Sequence, residues 1–155
     1  MTDLSDLLAP DAVIPALAVT NKKTLFQQLG AAAARAHGLD AKLVADRLGE
    51  REKLGSTGFG GGVAIPHGKL EGLRSVTGLF ARLEKPVDFA ALDELPVDLV
   101  FVLLSPVDAG AEHLKALARV SRRLRDRGFA AKLRGSGSTD ALYALLTGVE
   151  ARDAA

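Results

Sequence analysis

The six residues Leu99 to Leu104 are all apolar, in a chain where one residue in four is charged. A run that is apolar at both odd and even positions has no face to offer to water, so Val97 to Leu104 reads as a central strand covered on both sides. It is too short to span a bilayer, which takes about 20 residues. A sheet covered on both faces needs helices above and below it, and this defines an α/β sandwich.

The rest of the chain supplies those layers. Leu4, Leu7 and Leu8 form a helical turn, and Val13 to Val19 is extended, with Pro15 suited to an edge strand. Val63-Ala64-Ile65 and Val76 to Leu83 are further strands. One helix starts at the cap Asn21 and ends at Gly38, and a second runs from the cap Asp40 to Gly55. Ser105-Pro106 is expected to end the central strand. Glu112 to Arg127 follows as an amphipathic helix, turning Leu114, Leu117, Ala118, Val120, Ser121 and Leu124 inward. Phe129 to Leu133, and Asp140 to Leu146 capped by Ser138 or Thr139, are two closing helices.

At 155 residues the length fits one domain, placed over residues 1–150, with a disordered tail at 151–155. Twenty Lys and Arg oppose 19 Asp and Glu, so no net field favours nucleic acid or an anionic membrane, and the expected partners are proteins. The basic cluster from Arg119 to Arg134 reads as a solvated face or as a docking face for an acidic partner. The absence of cysteine excludes disulfides and thiol chemistry. The start, Met1 to Asp6, is acidic and lacks the basic-then-apolar order of a secretory signal, so a cytoplasmic location is expected.

The chemistry is concentrated between Arg51 and Lys69. There the glycines of Gly58-Phe59-Gly60-Gly61-Gly62 lead into an apolar run that stops at Pro66-His67-Gly68. Glycines uncover backbone N–H groups that an oxyanion can approach, and histidine is a nitrogen nucleophile near neutral pH. The pattern points to a phosphorylatable His67, with one ring nitrogen carrying a lone pair and the other protonated and held by a backbone carbonyl. Arg51 is a planar cation able to grip two phosphate oxygens. Ser56, Thr57, Gly60, Gly61 and Gly62 are candidate phosphate binders. His113, in the first turn of its helix, is a candidate N–H donor from a neutral ring. If the strands ending at Ile65 and Leu104 are parallel neighbours, His113 comes near His67. His37 reads as a helix C-terminal residue facing the dipole. Spacing rules out a P-loop, a dinucleotide fingerprint and a hydrolase elbow, and three scattered histidines are weak grounds for zinc. No metal or cofactor is expected.

The stretch Arg51-Glu52-Lys53-Leu54-Gly55-Ser56-Thr57-Gly58-Phe59-Gly60-Gly61-Gly62-Val63-Ala64-Ile65-Pro66-His67-Gly68-Lys69-Leu70 closely resembles the enzyme IIA domain of the phosphoenolpyruvate:sugar phosphotransferase system, mannitol/fructose type. Pro96 to Pro106 and Glu112 to Ala118 also resemble that family, so the likeness covers nearly the whole chain. The resemblance implies a mixed sheet between helices. It implies a phosphocarrier with a covalent phosphohistidine at His67, supported by Arg51 and His113, and an HPr-like phosphohistidine protein as donor. The Leu54-Gly55-Ser56-Thr57-Gly58 wording is most similar to the nitrogen-regulatory branch, whose members regulate through target proteins rather than import sugar. Transfer to a IIB domain of a sugar importer, or binding alone without phosphorylation, are the alternatives.

Overall fold

The computed structural model describes residues 4–148, so the tail expected at 151–155 lies outside them. Strands β1 (Val13–Leu17), β2 (Gly58–Gly60), β3 (Val63–Ala64), β4 (His67–Leu70), β5 (Thr77–Val87) and β6 (Val97–Pro106) form one sheet, ordered β1-β5-β6-β3-β2, with β4 also on β6. The sheet is mixed: β6 runs antiparallel to β5 and parallel to β3 and β4. Leu99 to Leu104 are all fully buried, so both faces of β6 are covered, as the unbroken apolar run requires. β1 is an edge strand, where the missing N–H of Pro15 costs no interior ladder bond.

Among the described residues five α-helices, α1 (Lys22–His37), α2 (Ala41–Lys53), α3 (Ala111–Arg125), α4 (Arg127–Arg134) and α5 (Thr139–Thr147), complete the sandwich. Their ends follow local chemistry. The side chains of Asn21, Asp40, Asp126 and Ser138 each accept a bond from a first-turn N–H, and Gly38 closes α1 at φ 68°. Asp126 also explains why the helix expected to reach Arg127 stops at Arg125. It takes an extended conformation and caps α4, accepting from Phe129 N at 3.1 Å.

Two other expectations are corrected. β6 does not end at Leu104, because Ser105 and Pro106 keep pairing with Lys69 and Leu70. In α3 the buried stripe is His113, Ala116, Val120 and Leu124, whereas Leu114 is 66% exposed. One residue is about 100° of helical rotation, so turning His113 inward turns Leu114 out. His37 is the last residue of α1, as expected, and its Nε2 also lies 3.1 Å from the carbonyl oxygen of Gly78 in β5.

Candidate active site

His67 opens β4; it does not trail β3. Pro66 has no N–H to continue the ladder, so the chain breaks after Ala64 and resumes at His67, still against β6. The break lets the ring fold back on its own backbone: Nδ1 lies 2.8 Å from the carbonyl oxygen of Ile65. A carbonyl only accepts, so Nδ1 carries the proton and Nε2 the lone pair. The Nε–H of Arg51, in the last turn of α2, donates to that lone pair at 3.2 Å. An Nη1–H of Arg51 donates to Gly55 O at 2.9 Å, which fixes the guanidinium beside Nε2.

His113 arrives from the other side. β4 and β6 run in parallel, so the chain leaving β6 turns back into α3 beside His67, and the two imidazole centroids lie 5.5 Å apart. Its Nδ1 is 2.6 Å from Ser105 Oγ, and both residues are buried. Arg47, Arg51, Leu54, His67, Lys69 and His113 line one open pocket. Sequence, strand break and parallel pairing thus bring together three of the residues singled out from sequence: Arg51, His67 and His113.

The loop residues are not in that pocket. Between Val63, opposite Leu99, and His67, opposite Leu103, the chain advances four residues along β6, about 13 Å at the strand rise. Gly60, Gly61 and Gly62 therefore turn β2 into β3 at the far end, where Gly61 and Gly62 take φ 66° and 78°. Gly61 N donates to Asp93 Oδ2 at 2.9 Å, and Arg134, itself paired with Asp98, donates to Gly61 O. Ser56 Oγ donates to Phe89 O at 2.6 Å, and Thr57 Oγ1 donates to Glu52 Oε2 at 2.6 Å. These groups build the turn leading to the site and leave no hydroxyl pointing into it.

Two contributors carried no signal of their own in the sequence. Glu52 is not the partner of Arg51: its buried carboxylate accepts from Lys22 Nζ at 2.7 Å and from Thr57, tying α1 and the loop after α2 together. In sequence Ser105 reads only as a strand terminator, since its bond to His113 depends on the return of the chain through α3.

Burial lowers the pKa of both His67 and His113 below the usual 6.5, and it is the largest effect on each. The Arg51 cation adds to it at His67, against the bond to Ile65, while His67 and Lys69 add to it at His113. Both rings are therefore neutral at pH 7. In the unfolded chain they take up protons near 6.5, so in the pH window that opens around that value and extends below it the unfolded state binds more protons than the folded one. Stability should be full above that window and fall as pH falls through it. Denaturation midpoints across this range should show a slope that flattens in a His67→Gln/His113→Gln double variant; an unchanged slope would place the titration elsewhere. Among the described residues no group of His, Asp and Glu could hold a metal ion, and no helix is long and apolar enough to cross a membrane.

Residues 6–149 match the family model described as phosphoenolpyruvate-dependent sugar phosphotransferase system, EIIA 2. The chain belongs to that EIIA family. Within it, a nitrogen regulatory protein of Bradyrhizobium diazoefficiens is 54% identical over 143 residues, spanning 92% of this chain and 94% of the relative. A nitrogen regulatory protein of Escherichia coli is 40% identical over 95% of this chain and 91% of its own length. The crystal structure of the nitrogen regulatory protein IIA-Ntr from Neisseria meningitidis superposes with a TM-score of 0.85 at 38% identity, covering 92% of this chain and 97% of that one. The mannitol IIA of Escherichia coli shares the fold at a TM-score of 0.75 and 20% identity, over 90% of this chain and 98% of that one. By these measures the chain sits with the nitrogen-regulatory members of the EIIA family.

Proposed function

We propose that this EIIA-family chain is a regulatory phosphocarrier that accepts a phosphoryl group on Nε2 of His67 from a phosphohistidine protein of the HPr type. The observation that carries this is the pair of bonds on one ring: Nδ1–H on Ile65 O, and Arg51 Nε–H on the lone pair of Nε2. The first selects the nucleophile, and the second places a cation where the phosphoryl oxygens arrive.

In the transfer step, the Nε2 lone pair forms the new bond to phosphorus. The donor's phosphorus–nitrogen bond breaks, and its electron pair returns to the donor ring. Positive charge developing on the His67 ring is met by Ile65 O through Nδ1–H. Arg51 slides from Nε2 onto the phosphoryl oxygens, where a planar guanidinium makes two charge-assisted bonds. His113 donates to a third oxygen. Of the other charged groups lining the pocket, Arg47 is paired with Glu50, and Lys69 adds a cation that favours the incoming dianion.

The pocket lies open with the exposed Leu54 at its rim, an apolar contact suited to a protein partner rather than a small substrate. Nitrogen-regulatory relatives at 40% identity or more, covering nearly the whole chain, favour targets whose binding depends on the phosphorylation state over a sugar importer's IIB domain. The test is incubation with phosphoenolpyruvate and the upstream carriers. Acid-labile label should reach the EIIA chain, and binding to its targets should differ between the labelled and unlabelled forms. Absence of label with a charged donor would remove the carrier role, and target binding indifferent to label would leave an interaction module.

A further inference from the structure

We propose that Ser105 is a positioning residue that holds His113 in the tautomer carrying its proton on Nε2, the form able to donate to the phosphoryl group. The inference rests on the role given above to His113 and adds to it a residue and a proton position.

Ser105 Oγ and His113 Nδ1 are 2.6 Å apart, with Ser105 fully buried. Two arrangements satisfy that distance. Either the hydroxyl donates to a bare Nδ1, or a protonated Nδ1 donates to the oxygen and the hydroxyl hydrogen must find another acceptor. Among the described residues the Ser105 hydroxyl makes no second bond, and no water reaches a side chain with no exposed surface. The second arrangement would leave a buried O–H unsatisfied, which native interiors avoid. The hydroxyl therefore donates, Nδ1 is bare, and the ring hydrogen sits on Nε2. Burial keeps the ring from taking a second proton at neutral pH, so the tautomer is a real choice between two neutral forms.

The fold explains why a serine does this. Pairing of β6 continues to Ser105 against Lys69, which places position 105 level with the strand carrying His67. The short turn after Pro106 then brings the first turn of α3 back over it. His113 belongs to the buried stripe of α3, and its inward face meets the hydroxyl. His67 and His113 are thus set in opposite senses: the carbonyl of Ile65 accepts from Nδ1 and so keeps the hydrogen there on one ring, while the hydroxyl of Ser105 donates to Nδ1 of the other and so keeps that nitrogen bare. One ring presents a lone pair to the pocket and its neighbour an N–H. That is the complementary pair needed to take up a phosphoryl group on one and hold its oxygen with the other.

The test uses the full chain with 15N-labelled histidine near pH 7.5, read by long-range proton–nitrogen NMR, alongside the rate of phosphoryl acceptance. In the wild type, His113 should show a pyrrole-type Nε2 and a pyridine-type Nδ1, and a protonated Nδ1 would overturn the proposal without any variant. In Ser105→Ala the His113 resonances should move toward a mixture of tautomers and acceptance should slow about two- to tenfold, the effect of one neutral hydrogen bond. His67 should keep its protonated Nδ1. An unchanged His113 spectrum or an unchanged rate in Ser105→Ala would contradict the positioning role. His113→Ala separates the two levels: acceptance at the wild-type rate there would remove His113 from the site, whereas the wild-type spectrum alone tests what Ser105 does to the ring.

Discussion

A His67→Gln variant of this EIIA chain should fold and accept no phosphoryl group. The substitution keeps a side chain of similar reach that can still bond Ile65 O, but it removes the only nitrogen lone pair in the pocket not already committed to the core. The other ring there, His113, has Nδ1 bonded to Ser105 and is read as holding a hydrogen on Nε2, so it cannot replace the nucleophile. Loss of one partly buried hydrogen bond should cost about 1 kcal/mol of stability. The label assay checks this: acid-labile phosphate should fall to background while thermal unfolding stays cooperative. Label at the wild-type level would mean that another residue carries the group.

The second large effect is expected at Arg51. Its guanidinium bridges the C-terminal turn of α2, the loop carbonyl of Gly55 and the nucleophilic nitrogen. Removing a preorganised donor aimed at transferring charge typically slows a reaction by about 100-fold or more, so Arg51→Ala should accept phosphate about 100-fold more slowly, with its fold intact. Arg51→Lys should recover only part of the loss, because an ammonium meets the phosphoryl oxygens as a point charge and not as a fork. Single-turnover transfer from a charged donor measures both. Equal rates for Arg51→Ala and wild type would show that the guanidinium only packs against the ring. The same variant has a second expected signature: with the Arg51 cation gone, one cause of the lowered His67 pKa disappears, so His67 should titrate at a higher pH than in the wild type.

Much of this was legible in the residue order, and the reasons differ from place to place. The strand at Leu99 to Leu104 could be read because apolarity at every position leaves few alternatives. The caps Asn21 and Asp40 mark helix starts by a local bond to the third residue on, so tertiary structure hardly enters. His67 stood out because Pro-His-Gly ends an apolar run, and the family resemblance singled out the same residue. What could not be read depends on distance along the sheet. Nothing in Gly60-Gly61-Gly62 says that β3 and β4 share β6 end to end, so that the glycines finish far from the imidazole they precede by only five residues. The phase of α3 was missed for a related reason. A leucine stripe predicts Leu114 inside, but the hydrogen bond from Ser105 and the pocket of His67 give His113 the inward place, and Leu114 is left facing solvent near the site. The second miss falls where a polar contact at the candidate site overrides the simplest apolar pattern.

The atom that carries the phosphoryl group can be read directly by heteronuclear NMR of the phosphorylated, 15N-histidine-labelled chain. Phosphorus should couple to Nε2 of His67, with Nδ1 still bearing its hydrogen toward Ile65. Coupling to Nδ1, or to a nitrogen of His37 or His113, would contradict the account.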